Sequence, residues 1–289
     1  MTTGATGTVR LLDLSRLVSR VGRGAWTGID RVEAAYLKRL LAEDEPLFAL
    51  VRSSFGFTLF DRAGLRALAD RLFGRIPWGQ ADTLSRLFLK AHPVKRRAEA
   101  DLRRLSLGRA NRRALPSLLE DTLPGPPCWI NVGHSDLQVS VFDAVHRLGG
   151  KAVVLVHDTI PLDHPDWQRE GTVDSFRARI QQVSGKADLV VHTAQATREQ
   201  TERHFAREGR VPNGIVAHLG IDASVPDDAQ LAANIRRDRP YFVALGTIEP
   251  RKNHALLLDI WDRFAAEGRD APHLLLCGAR GWNNAAVFA

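Results

Sequence analysis

Two adjacent cations, Arg251 and Lys252, stand in the run YFVALGTIEPRKNH, where a β-rich apolar stretch ends at Gly246 and Thr247 and a helical pattern starts near His254. A strand, a glycine turn, a proline and paired cations at a helix start suit an anion. Cations and helix N-terminal amides stabilise negative charge such as that growing on a departing diphosphate. Arg grips two phosphate oxygens at once, and Lys supplies a compact charge. The spacing alone fits an inconsequential charged loop equally well. A second candidate is His157, with Asp158 beside it, after the apolar run Ala152 to Val156. A His at the C-terminal end of a strand in an open α/β sheet points into the crevice where ligands bind; the plainer reading is a His-Asp pair that caps a loop. A third is the loop holding Gly22, Gly24 and Gly28, spaced G-x-G-x-x-x-G. Glycines let the backbone approach a phosphate or sugar, or simply make a flexible loop. The spacing is one residue longer than the dinucleotide fingerprint, which weakens an NAD reading. Asp30 and Arg31 read as helix surface or as a first-turn charge complementing the dipole.

Such residues need strands and helices to hold them. Short apolar runs alternate with helical patterns, the signature of βαβ units around a parallel sheet. Strands are predicted at Val9 to Leu14, Leu47 to Arg52, Cys128 to Val132, Ala152 to His157, Leu189 to His192, Ile215 to Leu219, Tyr241 to Leu245 and His273 to Cys277. The clearest helix runs from Ile29 to Leu41, with Val32, Tyr36, Leu37 and Leu40 on one face. Another is predicted from Ser135, whose spacing to Gln138 makes a capping box, to about Leu148. Thr193 is a natural N-cap for a third. The chain reads as a domain over 1–225, a linker over 226–240 and the opening βαβ of a second domain over 241–289, expected to be C-terminally incomplete.

At 289 residues and 44% hydrophobic, the chain can bury a sizeable core. Its net charge of +7 is uneven: Arg75 to Arg113 carries eleven Lys or Arg against three Asp or Glu, leaving the remainder about −1. A basic surface of this kind suits anionic headgroups, or is a solvated helix face. Few aromatics and no nucleic-acid motif argue against nucleic acid as the partner. Two cysteines without metal-ligand spacing point to a reducing compartment and buried thiols, and no signal peptide or apolar span is evident, so the expected location is cytoplasmic, with or without peripheral contact at the inner membrane face through 75–113. GxSxG, GxxxxGK[ST], HExxH and DxD patterns are absent, and no metal is expected.

GTIEPRKNH resembles the first donor-domain motif of family-4 glycosyltransferases, retaining enzymes of the two-domain GT-B fold. HDTIPLDHPDWQ resembles their His-Asp-x-Ile-Pro segment, GRGAWTGIDRVEAAYLKRL their glycine-bearing loop and first helix, VVHTAQATREQTERHF their strand and Ser/Thr-x-x-Thr-Arg helix start, and HLGID their Gly-Val-Asp stretch. Many members carry Arg after the first glycine, where this chain has Thr247. The resemblance implies a Rossmann-like acceptor domain followed by a Rossmann-like donor domain, with no tightly bound cofactor. It also implies transfer of a hexose, mannose from GDP-mannose for preference, from a nucleotide sugar to a saccharide or lipid-linked acceptor in cell-surface polysaccharide synthesis. By that resemblance Arg251, Lys252, Gly246 and Thr247 meet the donor phosphates, Gly24 and Gly28 line the cleft, and His157 with Asp158 sits by the sugar. A later glutamate pair of the family is not in this sequence, so activity is expected to need further chain. The alternatives are a non-catalytic binding module and, behind it, a basic nucleic-acid binder.

Overall fold

The computed structural model describes residues 8–88, 92–221, 223, 225–227, 235 and 239–288. Its strands in chain order are β1 (Val9–Asp13), β2 (Leu47–Ser53), β3 (Gly56–Phe60), β4 (Gly108–Ala110), β5 (Pro127–Asn131), β6 (Lys151–Val156), β7 (Leu189–His192), β8 (Asn213–Val216), β9 (Tyr241–Leu245) and β10 (His273–Cys277). The helices begin with α1 (Ser15–Ser19), α2 (Gly28–Leu41), α3 (Arg62–Leu72), α4 (Thr83–Phe88), α5 (Pro93–Leu105) and α6 (Leu115–Thr122). They continue with α7 (Val139–Arg147), α8 (Ile160–Asp163), α9 (Thr172–Lys186), α10 (Gln195–Arg207) and α11 (His254–Ala266). The chain is α/β throughout, as expected. None of its described helices is long and apolar enough to cross a membrane.

Contacts gather into two units. One holds the chain as far as Thr159 together with Arg177–Leu219; the other holds Ile160–Phe176 and the chain from Gly220 onward. The sequence reading, with its boundary near 225, did not anticipate that 160–176 would group with the later segment. Asp222 of HLGID and most of 226–240 lie outside the described residues.

The first unit is built on a sheet ordered β4-β3-β2-β1-β5-β6-β7-β8. All neighbours are parallel except β2–β3 and β3–β4. The chain starts at β1, moves outward to β4, then returns to place β5 on the other side of β1. The C-terminal edges of β1 and β5 are therefore a topological switch point, where open α/β sheets bind ligands. Strands β3 and β4 are absent from the sequence reading. GFTLF is short and opens on a glycine, and GRA is three residues long, so neither shows the apolar period of a strand. Through β4 the basic stretch joins the sheet edge, and α5 turns Ala98, Ala100 and Leu102 into the core. Trp129 and Phe142 bury an edge-to-face pair with centroids 5.0 Å apart, holding α7 to β5.

The second unit pairs β9 and β10 in parallel, with α11 between them in sequence. Trp261 of α11 donates to the Pro272 carbonyl at 2.7 Å and meets Phe242 edge-on. Within the same unit, Trp282 donates to the Trp167 carbonyl at 2.9 Å, and the Arg169 guanidinium lies 4.7 Å from the Trp282 ring centroid. His164 stacks on Trp167. Both cysteines are free and half-buried rather than fully buried.

Candidate functional site

At the switch point, β1 ends on Asp13, buried and accepting from the Ser15 amide at 2.9 Å. Burial raises its pKa to about 7, with the charge of Asp136 adding to the effect. Glu33 of α2 is also fully buried, accepts from the Leu17 amide at 3.0 Å and is pushed well above the usual carboxylate range by burial and then by Asp13. Two buried carboxyls thus share one neighbourhood, and such groups titrate as a coupled pair. Asp30, read as helix surface or as a first-turn charge, is the latter: it sits in the first turn of α2 and is buried. It takes the Arg16 Nε at 2.9 Å and the Arg20 Nε at 3.2 Å, and its other contacts are the Thr27 amide and hydroxyl. The first-turn carboxylate therefore pins two arginines to the start of α2. Gly24 lies in the preceding turn with φ +82°, and Gly28 is the first residue of α2 with open space where a Cβ would go.

The segment after β5 departs most from expectation. The capping box at Ser135 and Gln138 does not form; α7 begins at Val139, with Gln138 as N-cap and no side-chain cap. Instead His134 and Asp136 adopt left-handed backbone conformations, φ +49° and +53°. Non-glycine residues there are strained, and surrounding contacts must hold them. Asn131 does so, accepting from the His134 amide at 3.1 Å and donating to the Ser135 carbonyl at 2.9 Å. Arg179 of α9 donates to the His134 carbonyl at 2.9 Å. Burial first, then the charges of Arg179, His157 and Arg16, lowers the His134 pKa to about 3, so the ring is neutral at neutral pH.

His157 follows β6 directly and is half-buried. Its Nε2 lies 2.8 Å from the Val132 carbonyl. A carbonyl can only accept, so Nε2 carries the proton and Nδ1 keeps the lone pair. Burial lowers its pKa, and Asp158 works in the opposite direction. The ring is therefore a neutral hydrogen-bond acceptor at the sheet's C-terminal edge, suited to orienting a hydroxyl. Thr193 does not cap α10, whose N-cap is Ala194; its hydroxyl donates to the His157 carbonyl at 3.1 Å and ties β7 to β6.

In the second unit, Gly246 has φ +144°, and a Cβ there would meet Lys252 Cε at 3.3 Å. Lys252 is thus folded over the glycine turn. Arg251 is held by the buried carboxylate of Glu249, whereas Lys252 is in no ion pair among the described residues. The amides of Ile248 and Gly281 bond across to Ala279 and Ile248, so the GTIEP loop and the GARGW loop brace each other at the C-terminal edges of β9 and β10. A Cβ on Gly281 would approach the Thr247 methyl to 2.8 Å. Asn253, left-handed at φ +49°, opens α11 without a side-chain cap, and α11 presents its first amides unfilled.

The sequence reading thus named His157, Asp158, Gly246, Thr247, Arg251, Lys252, Gly24 and Gly28, and passed over Asp13, Glu33, His134, Asp136 and Arg179. A signal existed for Glu33, which sits four and seven residues before Leu37 and Leu40 and so on their buried face. Asp13 closes an otherwise apolar strand, another readable sign.

No protein-family model matches the chain. Over 158 residues it is 31% identical to three forms of the serotype-specific mannosyltransferase WbdA of Escherichia coli, a match covering 50% of this chain and 19% of each relative. The chain spans about a fifth of the length of these relatives. The likeness over that stretch is to a mannosyltransferase.

Proposed function

We propose that the chain acts in a retaining, GT-B-type hexosyltransferase of family 4. It would transfer mannose from GDP-mannose to a saccharide or lipid-linked acceptor in cell-surface polysaccharide synthesis. The observation that carries this reading is the loop from Gly246 to His254: a glycine turn under Lys252, Arg251 oriented by Glu249, and an uncapped helix start. Those three features bind a diphosphate and stabilise the charge it gains as the glycosidic bond breaks. The similarity to a mannosyltransferase supports mannose as the sugar in this reading. In this reading His157, through Nδ1, accepts from a hydroxyl of the transferred sugar, Asp158 supports it, and the Gly24 to Gly28 turn admits the substrate backbone-close. The basic stretch 75–113 would rest on an anionic membrane surface.

Calorimetry with GDP, UDP and ADP on the full chain tests it. A nucleoside diphosphate, GDP above the others, should bind, and Arg251→Ala with Lys252→Ala should weaken it by about tenfold or more, the worth of lost charge-assisted bonds. No nucleotide binding, or binding indifferent to both substitutions, overturns the reading.

A further inference from the structure

Beside the start of α7, a pocket of about 500 Å³ opens between the loop after β5, α9 and the chain at Arg112. Its wall carries Gln138 and Ser140, and the Gln138 Oε1 and Ser140 Oγ are buried without a hydrogen-bond partner; Asp136 Oδ2, one turn back, is in the same condition. Three such atoms within five residues are unusual in a finished interior, each leaving about 1–3 kcal/mol of desolvation uncompensated. A turn of the Gln138 and Ser140 side chains toward the hollow would bring both atoms to the hydroxyl groups of a ligand.

Arg112 also lines a neighbouring hollow of about 510 Å³ with Arg52, Arg113 and Phe55. Among the described residues, no carboxylate lies within ion-pair distance of Arg52, Arg112 or Arg113. Three guanidinium groups in no ion pair, with Arg52 and Arg112 sharing only the longer-range charge of Asp136, suit a phosphate, and the exposed Phe55 ring suits the apolar face of a pyranose. Arg179, on the first pocket's wall, is the residue that holds the His134 carbonyl, so this region adjoins the switch-point crevice.

We infer that the two hollows form one subsite for a glycosyl phosphate, its sugar hydroxyls on Gln138 and Ser140 and its phosphate on Arg52, Arg112 and Arg113. This deepens the transferase reading by naming the chemical class of the acceptor, and it rests on that reading for the site's role. Soluble glycosyl phosphates and the headgroups of lipid-linked saccharides share this chemistry.

The test is titration of the full chain with mannose 1-phosphate, its octyl ester, methyl mannoside and inorganic phosphate, alongside GDP. Mannose 1-phosphate should bind about tenfold or more tightly than methyl mannoside or inorganic phosphate. Arg112→Ala, at an exposed position whose loss leaves the core untouched, should cost about tenfold, and Gln138→Ala with Ser140→Ala should remove the preference over inorganic phosphate. Arg251→Ala should leave this affinity unchanged. A tighter octyl ester assigns the lipid-linked source, and equal affinities assign the soluble one. Inorganic phosphate binding as tightly as the sugar phosphate, no sugar-phosphate binding, or indifference to Arg112→Ala overturns the subsite. GDP binding without sugar-phosphate binding sinks only this inference; the reverse sinks only the transferase reading.

Discussion

Asp13 shows how burial sets a residue's chemistry. Its carboxyl ordinarily titrates near 3.8 and in the fold titrates at about 7, chiefly because burial penalises the charged form. The folded pKa is the higher one, so the folded state holds the proton more tightly. The associated stability is fully present below 3.8 and is lost as pH rises through 7. Asp13→Asn keeps the acceptor for the Ser15 amide and removes the titration. In denaturant melts the variant should gain on the parent by about 2–3 kcal/mol between pH 5 and pH 8, following one proton's linkage. Parallel stability curves would show that Asp13 is ionised throughout. The coupled Glu33 shifts with it, so the transition is that of the pair. At the same scale, Lys252 and Arg251 are distinguishable: one folds over a glycine, and the other leans on Glu249.

Gly133 shows how one position joins several elements. It follows β5, and a Cβ there would stand 2.9 Å from both the Arg16 Cβ after β1 and the Glu33 Oε2 of α2. Three segments of the switch point converge on a space only hydrogen fits. Gly133→Ala should lower stability by about 1–3 kcal/mol through forced displacement. Gly28→Ala, at the open first position of α2, should leave it unchanged or raise it by up to about 1 kcal/mol. Equal effects at the two glycines in thermal melts would refute the crowding argument. Element positions were largely legible: β7, β9 and β10 match their sequence bounds and α11 starts at His254 as expected, because each is a continuous apolar or 3.6-period run. The start of α7 was not. Ser135 and Gln138 have capping-box spacing, but Asn131 and Arg179 bind the 134–135 backbone first, and local propensity yields to those contacts.

Across the molecule, the excess positive charge is concentrated rather than general, and the structure commits part of it. Arg103 holds the Asp82 carboxyl well below the usual range, Arg104 and Arg71 share Asp101, and Arg75 pairs with Asp70. The basic stretch therefore stabilises its own docking through α5 before it offers charge outward. Binding to phosphatidylglycerol vesicles should be modest and should fall steeply between 50 and 200 mM salt, as exposed charges are screened over roughly 10 Å at 0.1 M. Arg97→Glu with Arg86→Glu should abolish it. Cosedimentation insensitive to salt, or absent at low salt, would remove the membrane from the account.

The sequence by itself determined the alternation of strands and helices, the concentration of basic charge and the strand-loop-helix frame around Arg251 and Lys252. These are local properties, written in periodicity and spacing. Only tertiary structure decided that β5 returns beside β1 and that Asp13, Glu33, His134 and Arg179 meet there. It also decided that Glu249 claims Arg251, and that Gln138, instead of closing a capping box with Ser135, lines a pocket together with Ser140. Those outcomes depend on which distant segments share one low-dielectric space. Burial and neighbouring charge, not residue type, then set the chemistry of each group.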